Sequence, residues 1–129
     1  MAAFKPDGYP ALSPYVILHD PEATLAFAGA VFDGARLRRI EDETGRIRHA
    51  EIRVGEVVLM IGGALADWPA QDAHLHLYVP DVDATYARAL ELGAQAVQAP
   101  EQKDDADRRG GFRDPGGLTW WVATQVDPH

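Results

Sequence analysis

The sequence predicts an α+β fold made of two similar modules, each with the order strand, helix and three strands. The first observation is a repeat, in which DPEATLAFA at residues 20–28 recurs as DVDATYARA at residues 81–89 with five identical positions. The second is that a strand-like alternating run precedes each copy and a Gly-Ala pair follows it. The 129 residues are therefore expected to form one domain, 1–129, with module one at about 10–63 and module two at about 72–125.

Both helices are predicted from their ends. Asp20 and Asp81 are suited to N-cap positions, and Pro21 suits the first helical position. Gly34 and Gly93 are expected to end the helices. Apolar residues at helical spacing predict that each helix packs on a sheet; they are Leu25, Ala28 and Phe32 in the first helix and Val82, Tyr86, Ala89 and Leu90 in the second.

The remaining strands of module one are predicted from alternation. In HAEIRVG, residues 49–55, the apolar side chains share one face, and His49, Glu51 and Arg53 share the other. The turn Gly55-Glu56 joins this strand to EVVLMIGG as a hairpin. An earlier strand, ARLRRIEDE, ends at the turn Thr44-Gly45.

The second module carries weaker strand patterns. AQAVQAP and RGGFRD indicate short strands, and GLTWWVATQV, which follows Pro115-Gly116-Gly117, indicates a strong one. Because Trp120 and Trp121 alternate, one is expected under the helix and the other on the opposite face. EQKDDADRRGG at residues 101–111 is interpreted as a solvated loop, from which Arg108 could contact a ligand as part of a lid.

Charge and composition exclude several classes of protein. A net charge of −8 and a pI near 4.9 disfavour nucleic acid and anionic membrane surfaces as partners, because both attract basic patches. The sequence has no cysteine, which excludes disulfides, zinc–thiolate sites and cysteine nucleophiles and is typical of a reducing compartment. We therefore expect a cytoplasmic protein.

The two modules resemble a known family. GRIRHAEIRVGEVVLMIGG, HLYVPDVDATYARALELGA and DRRGGFRDPGGLTWWVA are similar to the vicinal oxygen chelate superfamily, which includes glyoxalase I, bleomycin-resistance proteins, fosfomycin-resistance enzymes and extradiol dioxygenases. The resemblance implies two βαβββ modules that form curled mixed sheets around a cavity. It is weakly specific for activity, because one fold supports many chemistries.

The resemblance also implies where a metal would be bound. The metal enzymes of the superfamily place ligands in the opening and closing strands of both modules, at positions that fall here on Ser13, Met60, His74 and Trp121. Only His74 is a usual ligand for the metals these enzymes employ. We therefore expect neither a metal nor another cofactor at these positions.

A displaced site remains a second hypothesis. Alternation in HLHLY puts His74, His76 and Tyr78 on one strand face, while His49 and Glu51 form another polar pair. These groups could hold a displaced metal or perform acid/base chemistry, for which Glu51, His74 and His76 are the candidate catalytic residues. The histidines could also serve only as structural partners at a dimer seam.

The function that follows is metal-independent binding of a small organic molecule, such as an aromatic or cationic compound, by a homodimer. The alternative is a lyase, isomerase or dioxygenase-like enzyme of the same superfamily. Flat aromatic side chains and few polar anchors are typical of ligand pockets. The candidate ligand-binding residues are Ser13, Tyr15, His49, Glu51, Arg53, Met60, His74, His76, Tyr78, Arg108 and Trp121.

Overall fold

The computed structural model describes residues 4–127, and its element order confirms the two βαβββ modules. Module one contains β1 (Tyr15–Leu18), α1 (Pro21–Phe32), β2 (Ala35–Glu41), β3 (Ile47–Val54) and β4 (Val57–Gly63). Module two contains β5 (His74–Tyr78), α2 (Val82–Glu91), β6 (Gln95–Gln102), β7 (Asp107–Arg113) and β8 (Thr119–Gln125).

Each module forms its own four-stranded mixed sheet, and the two sheets have the same topology. Sheet 1 has the order β1-β4-β3-β2 and sheet 2 the order β5-β8-β7-β6. In both, the opening strand is parallel to the closing strand, and the other pairs are antiparallel. The parallel pair is possible because a helix connects each opening strand to the rest of its module.

The helix caps confirm most of the predicted boundaries. The side chains of Asp20 and Asp81 each accept a hydrogen bond from a backbone N–H three residues later, at 3.1 Å, as N-caps do. Gly93 adopts the left-handed conformation with φ 96°. The prediction for Gly34 is wrong, because Asp33 takes that conformation at the end of α1, with φ 54°.

Gly34 is required for packing instead. A Cβ built on Gly34 would lie 2.7 Å from Cδ1 of Ile52, a core side chain of β3. That separation is too short for two carbon atoms, so a larger residue would push β2 away from β3. The chain between α1 and β2 can therefore approach the core at Gly34 because the residue has no side chain.

The helix-bearing faces of both sheets contribute to one hydrophobic core. Phe32 at the end of α1 lies with its ring centroid 4.6 Å from that of Trp120 on β8, and Phe27 lies 5.7 Å from Phe112 on β7. A helix of module one thus packs on the sheet of module two. The expected division between the tryptophans is confirmed, since Trp120 is buried and Trp121 lies on the opposite face.

Asp114 explains the RDPGG sequence that precedes β8. Its Oδ1 accepts hydrogen bonds from the backbone of the turn at residues 116–118 and from the Thr24 hydroxyl of α1 at 2.9 Å. Its Oδ2 accepts from the Trp120 indole N–H at 2.9 Å. The buried carboxylate therefore joins the turn of module two to the helix of module one.

Three predictions for module two are wrong. Strands β6 and β7 extend through most of residues 101–111, so the expected long loop shrinks to residues 103–106. Arg108 does not extend from a lid; its guanidinium makes two 2.9 Å hydrogen bonds to Asp83 at the start of α2. Leu90 is exposed rather than packed on the sheet, because it lies at the edge of the apolar face of α2, whose Ala89 is fully buried.

Candidate functional site

Polar and aromatic side chains occupy the side of each sheet that faces away from the shared core. We call these surfaces face 1 and face 2. Strand alternation separates them from the core residues, since successive side chains of a strand point to opposite faces. Face 1 consists of Ser13, Tyr15, His49, Glu51, Arg53 and Met60, and face 2 consists of His74, His76, Tyr78, Arg109 and Trp121.

The expectation that these residues line one cavity within the chain is wrong. Both sheets direct their apolar sides toward the same core, so face 1 and face 2 lie on opposite sides of that core. Within residues 4–127, the side-chain hydrogen bonds and aromatic contacts of each face stay within its own module. His49 and Glu51 therefore do not meet His74 and His76 in a single chain.

Face 1 is organised around the carboxylate of Glu51, which is only 1% exposed. Its Oε1 accepts a hydrogen bond from the Tyr9 hydroxyl at 2.5 Å. Its Oε2 accepts from His49 Nε2 at 2.7 Å and from Arg38 at 3.2 Å. Burial raises the pKa of Glu51, but these three hydrogen bonds and the Arg38 charge outweigh burial and hold the pKa below its ordinary value of 4.5.

The segment before β1 covers part of face 1. Tyr9 reaches Glu51, and the carbonyl of Gly8 accepts a 2.9 Å hydrogen bond from Arg53. Tyr9 and Arg38 were not predicted as site residues, because Tyr9 precedes the first strand and Arg38 lies on the outer strand β2, and neither position shows a pattern that points to Glu51. The hydrogen bond to Glu51 raises the pKa of the Tyr9 phenol, with burial and the carboxylate charge acting in the same direction.

The rest of face 1 is flat and largely uncharged. The Tyr15 ring stacks on the His49 imidazole with centroids 6.0 Å apart and an interplanar angle of 30°. Met60 lies in register between Tyr15 and Glu51. Ser13 precedes β1, and its buried hydroxyl oxygen has no hydrogen-bond partner among the residues that the structure describes. A pocket of about 320 Å³ beside Tyr15 extends to Arg48 and Trp68.

Trp121 and His74 form the aromatic part of face 2. The indole N–H of Trp121 donates to His74 Nδ1 at 3.0 Å, and the two rings are nearly parallel, at 15°. A Cβ on Gly111 would lie 2.6 Å from the Trp121 ring. The indole therefore lies flat against the backbone of β7, where only glycine leaves room for it.

The other part of face 2 is an ionic network around Arg109. Its guanidinium donates to Asp107 at 2.9 Å, to Asp105 at 3.2 Å and to His76 Nε2 at 3.0 Å, while Tyr78 donates to Asp107 at 2.6 Å. Burial and the neighbouring Arg109 charge lower the pKa of His76, whereas the hydrogen bond to Asp107 raises the pKa of Tyr78. Arg109 was not predicted as a site residue, because it lies where the predicted loop at residues 101–111 overlaps the short predicted strand RGGFRD.

These hydrogen bonds determine what the face 2 histidines can offer. A neutral imidazole has one N–H and one nitrogen lone pair. In His74 the lone pair of Nδ1 accepts from Trp121, and in His76 that of Nε2 accepts from Arg109. The hydrogen-bond network thus assigns the proton to the other nitrogen of each ring. His74 and His76 consequently present N–H donors rather than free lone pairs.

The chain is similar to known proteins over most of its length. A family model described as the Glyoxalase/Bleomycin resistance protein/Dioxygenase superfamily matches residues 14–122. The chain belongs to this superfamily. Within it, an uncharacterized protein of Mycobacterium bovis is 34% identical over 131 residues, covering 91% of this chain and 84% of its own length.

Solved structures show that the superfamily fold is shared. TioX from Micromonospora sp. ML1 matches with a TM-score of 0.68 and 24% identity, covering 89% of this chain and 95% of its own. The fosfomycin resistance protein FosX from Mesorhizobium loti matches with a TM-score of 0.64 and 18% identity, covering 89% and 91%. No helix within residues 4–127 is long and apolar enough to span a membrane.

The residues at the superfamily's metal-ligand positions do not fit a divalent metal. Ser13 and Met60 lie on face 1, and His74 and Trp121 lie on face 2. The indole of Trp121 occupies the lone pair of His74, so the one usual ligand of the set is already engaged. Within residues 4–127, no three His, Asp or Glu side chains are grouped as metal ligands would be.

Proposed function

We propose that the protein binds a small organic molecule without a metal, at a site that two copies of the chain build together. Face 1 of one protomer and face 2 of its partner would enclose the ligand. The observation that carries the proposal is the hydrogen bonding of His74 and His76, whose acceptor nitrogens are occupied by Trp121 and Arg109. Neither imidazole has a lone pair left for a metal in this arrangement, but both have an N–H for a ligand.

The exposure of aromatic residues supports the homodimer. Tyr15 on face 1 is 50% exposed and Tyr78 on face 2 is 62% exposed, although both are large aromatic side chains. Burying such surfaces against a second copy is favourable, and a two-fold pair would use both faces twice. A ligand between them would contact Tyr15 on one side and Trp121 on the other.

The ligand that fits these faces is planar and neutral or cationic, with a hydrogen-bond acceptor. Stacked rings and cations suit the flat surfaces of Tyr15 and Trp121. The two imidazole N–H groups suit a carbonyl or similar acceptor. Arg109 is paired with Asp105 and Asp107, so its charge is compensated, and the net charge of −8 disfavours multiply charged anions.

A thermal-shift screen tests the ligand class. The screen compares cationic, neutral and anionic forms of one aromatic scaffold. The cationic and neutral forms should raise the melting temperature of the wild type more than the anionic form does. Trp121→Ala should lose this stabilisation. Leu90→Ala, which shortens an exposed apolar side chain on α2 outside both faces, should keep it. Stabilisation by the anions alone, or equal stabilisation of Trp121→Ala, would contradict the proposal.

Mass and metal content test the other two parts. Light scattering at micromolar concentration should give twice the 14.1 kDa chain mass, and a monomer would exclude the composite site. Elemental analysis of untagged protein should give less than about half an equivalent of transition metal, with a melting temperature that chelator leaves unchanged. A stoichiometric metal that is lost in His74→Ala would support a metal-dependent enzyme instead.

A further inference from the structure

His49 differs from the histidines of face 2 in the nitrogen that it leaves free. Its Nε2 lies 2.7 Å from Glu51 Oε2, and a carboxylate can only accept, so Nε2 carries the proton and donates. The neutral ring then has its lone pair on Nδ1. Its side chain is 22% exposed, whereas that of Glu51 is enclosed. Face 1 thus pairs a partly accessible basic nitrogen with a buried carboxylate.

The carboxylate is held in position from several directions. Tyr9 donates to Oε1, and Arg38 and His49 donate to Oε2. These bonds favour the ionised form of Glu51. Burial alone would raise the pKa of its carboxyl group, but the three donors hold that pKa below the ordinary range. A fixed negative charge beside Nε2 stabilises the imidazolium that forms when Nδ1 accepts a proton.

We infer that His49 is a general base for a planar carbon acid bound on face 1 and that Glu51 is its positioning residue. The inference goes beyond ligand binding and does not depend on the composite site, because all its atoms belong to one chain. It also revises the expectation that Glu51 itself is the base, since a carboxylate that is 1% exposed and accepts three hydrogen bonds has no accessible lone pair to offer.

The proton transfer needs no co-reactant. The C–H bond breaks, the proton goes to His49 Nδ1, and the electron pair stays on the ligand, where an adjacent carbonyl accepts it as an enolate. Return of the proton from the imidazolium to a different carbon completes an isomerisation, with atoms and charge balanced. Arg38, with a side chain 56% exposed, keeps N–H groups beyond its bond to Glu51 that could hydrogen-bond to the enolate oxygen.

Tyr15 supports a planar ligand at this position. Its ring stacks on the His49 imidazole and is half exposed, so it fixes the imidazole plane and leaves a π surface beside the base. A flat carbon acid that packs against the exposed edge of the Tyr15 ring would lie beside the His49 imidazole. Approach geometry of this kind is the main requirement for a general base.

The test uses 5-nitrobenzisoxazole, a flat aromatic carbon acid. A base removes its ring C–H proton while the N–O bond breaks, which releases a coloured cyanonitrophenolate without another reactant. Wild-type protein should convert it at saturating concentration about 10²-fold faster than His49→Gln, the scale of general-base catalysis. His19→Gln is the matched control, because His19 is an exposed histidine outside both faces, and it should equal the wild type.

Glu51→Gln separates positioning from structure. The amide keeps the size and one acceptor oxygen, so KM should stay within about twofold while kcat falls roughly tenfold or more, because the charge that stabilises the imidazolium is gone. A structural role alone would change KM and kcat together or neither. If Glu51→Gln does not fold, the tautomer of His49 in the wild type decides instead. It is read from the imidazole ¹⁵N chemical shifts, which are assigned by comparison with His49→Gln.

Each result is decisive. A wild-type rate that exceeds the His49→Gln rate by less than tenfold, or a proton on Nδ1 of neutral His49, overturns the inference. A tenfold or greater loss in His49→Gln together with Nε2 protonation supports it. The proposed binding function is tested separately through Trp121. Ligand binding can therefore be detected even if proton transfer fails, and proton transfer can be measured even if the Trp121 test fails.

Discussion

Replacing Asp114 by alanine removes the acceptor that joins the two modules. The carboxylate accepts from Thr24, Trp120 and the three backbone N–H groups of residues 116–118. Alanine fills part of the space but accepts none of these bonds. The Thr24 hydroxyl and the Trp120 indole are in buried residues, so water cannot easily replace the lost partner.

The expected loss follows from those two side chains. Each buried donor without a partner costs about 1–3 kcal/mol. The turn N–H groups add less, because that of Gly117 also donates to the Asp114 carbonyl at 3.0 Å and the bond from Leu118 is long, at 3.3 Å. We expect about 4 kcal/mol of lost unfolding free energy, which corresponds to a melting temperature lower by ~15 °C for a chain of this size. Thr24→Val removes one hydrogen bond without orphaning a donor, so its loss should be about 1 kcal/mol.

Urea denaturation of wild type, Asp114→Ala and Thr24→Val measures these losses. All three must be compared at one protein concentration, since association adds to apparent stability. Circular dichroism of the native state shows whether Asp114→Ala still folds at low temperature. If its loss does not exceed that of Thr24→Val, the carboxylate does not hold the modules together in the way described.

Three further outcomes are expected. Glu51→Gln should lower the free energy of unfolding at pH 7, and the difference from the wild type should shrink as the pH falls through 4.5 and below. The reason is that a pKa lowered by folding means that the ionised carboxylate stabilises the fold, and this stabilisation is lost on protonation. A difference in urea denaturation that is independent of pH would contradict this. Arg109→Leu should raise the pKa of His76 toward its ordinary 6.5 by removing a nearby positive charge, as an NMR titration would show. Gly34→Ala should lower the melting temperature through its clash with Ile52, whereas Gly29→Ala, whose Cβ would meet nothing closer than an ordinary 3.7 Å contact, should cost less.

The sequence determined the local structure well. The repeat, the Asp N-caps and the alternation of residues 49–55 predicted the order of the elements and the side chains that share a strand face. Local rules succeed here because N-cap chemistry and strand pleating involve neighbours in the chain. The prediction was incomplete where polar residues obscured the pattern, as at the start of β7, whose core side carries Arg108 beside Gly110 and Phe112.

Only the tertiary structure decided how the candidate site is divided. Alternation places His49 with Glu51 and His74 with His76, but it does not say on which side of the molecule each sheet turns its polar face. That choice depends on α1, whose Phe27 and Phe32 pack on the second sheet and draw both apolar faces into one core.

The states of the site residues are likewise set by distant parts of the chain. Tyr9 and Glu51 are 42 positions apart, and His76 and Arg109 are 33 apart. These contacts help to enclose Glu51 and occupy the lone pair of His76. The sequence by itself therefore determined which chemical groups are present and which share a strand, while long-range packing decided which of them are accessible, because burial and hydrogen-bond partners arise only when distant segments meet.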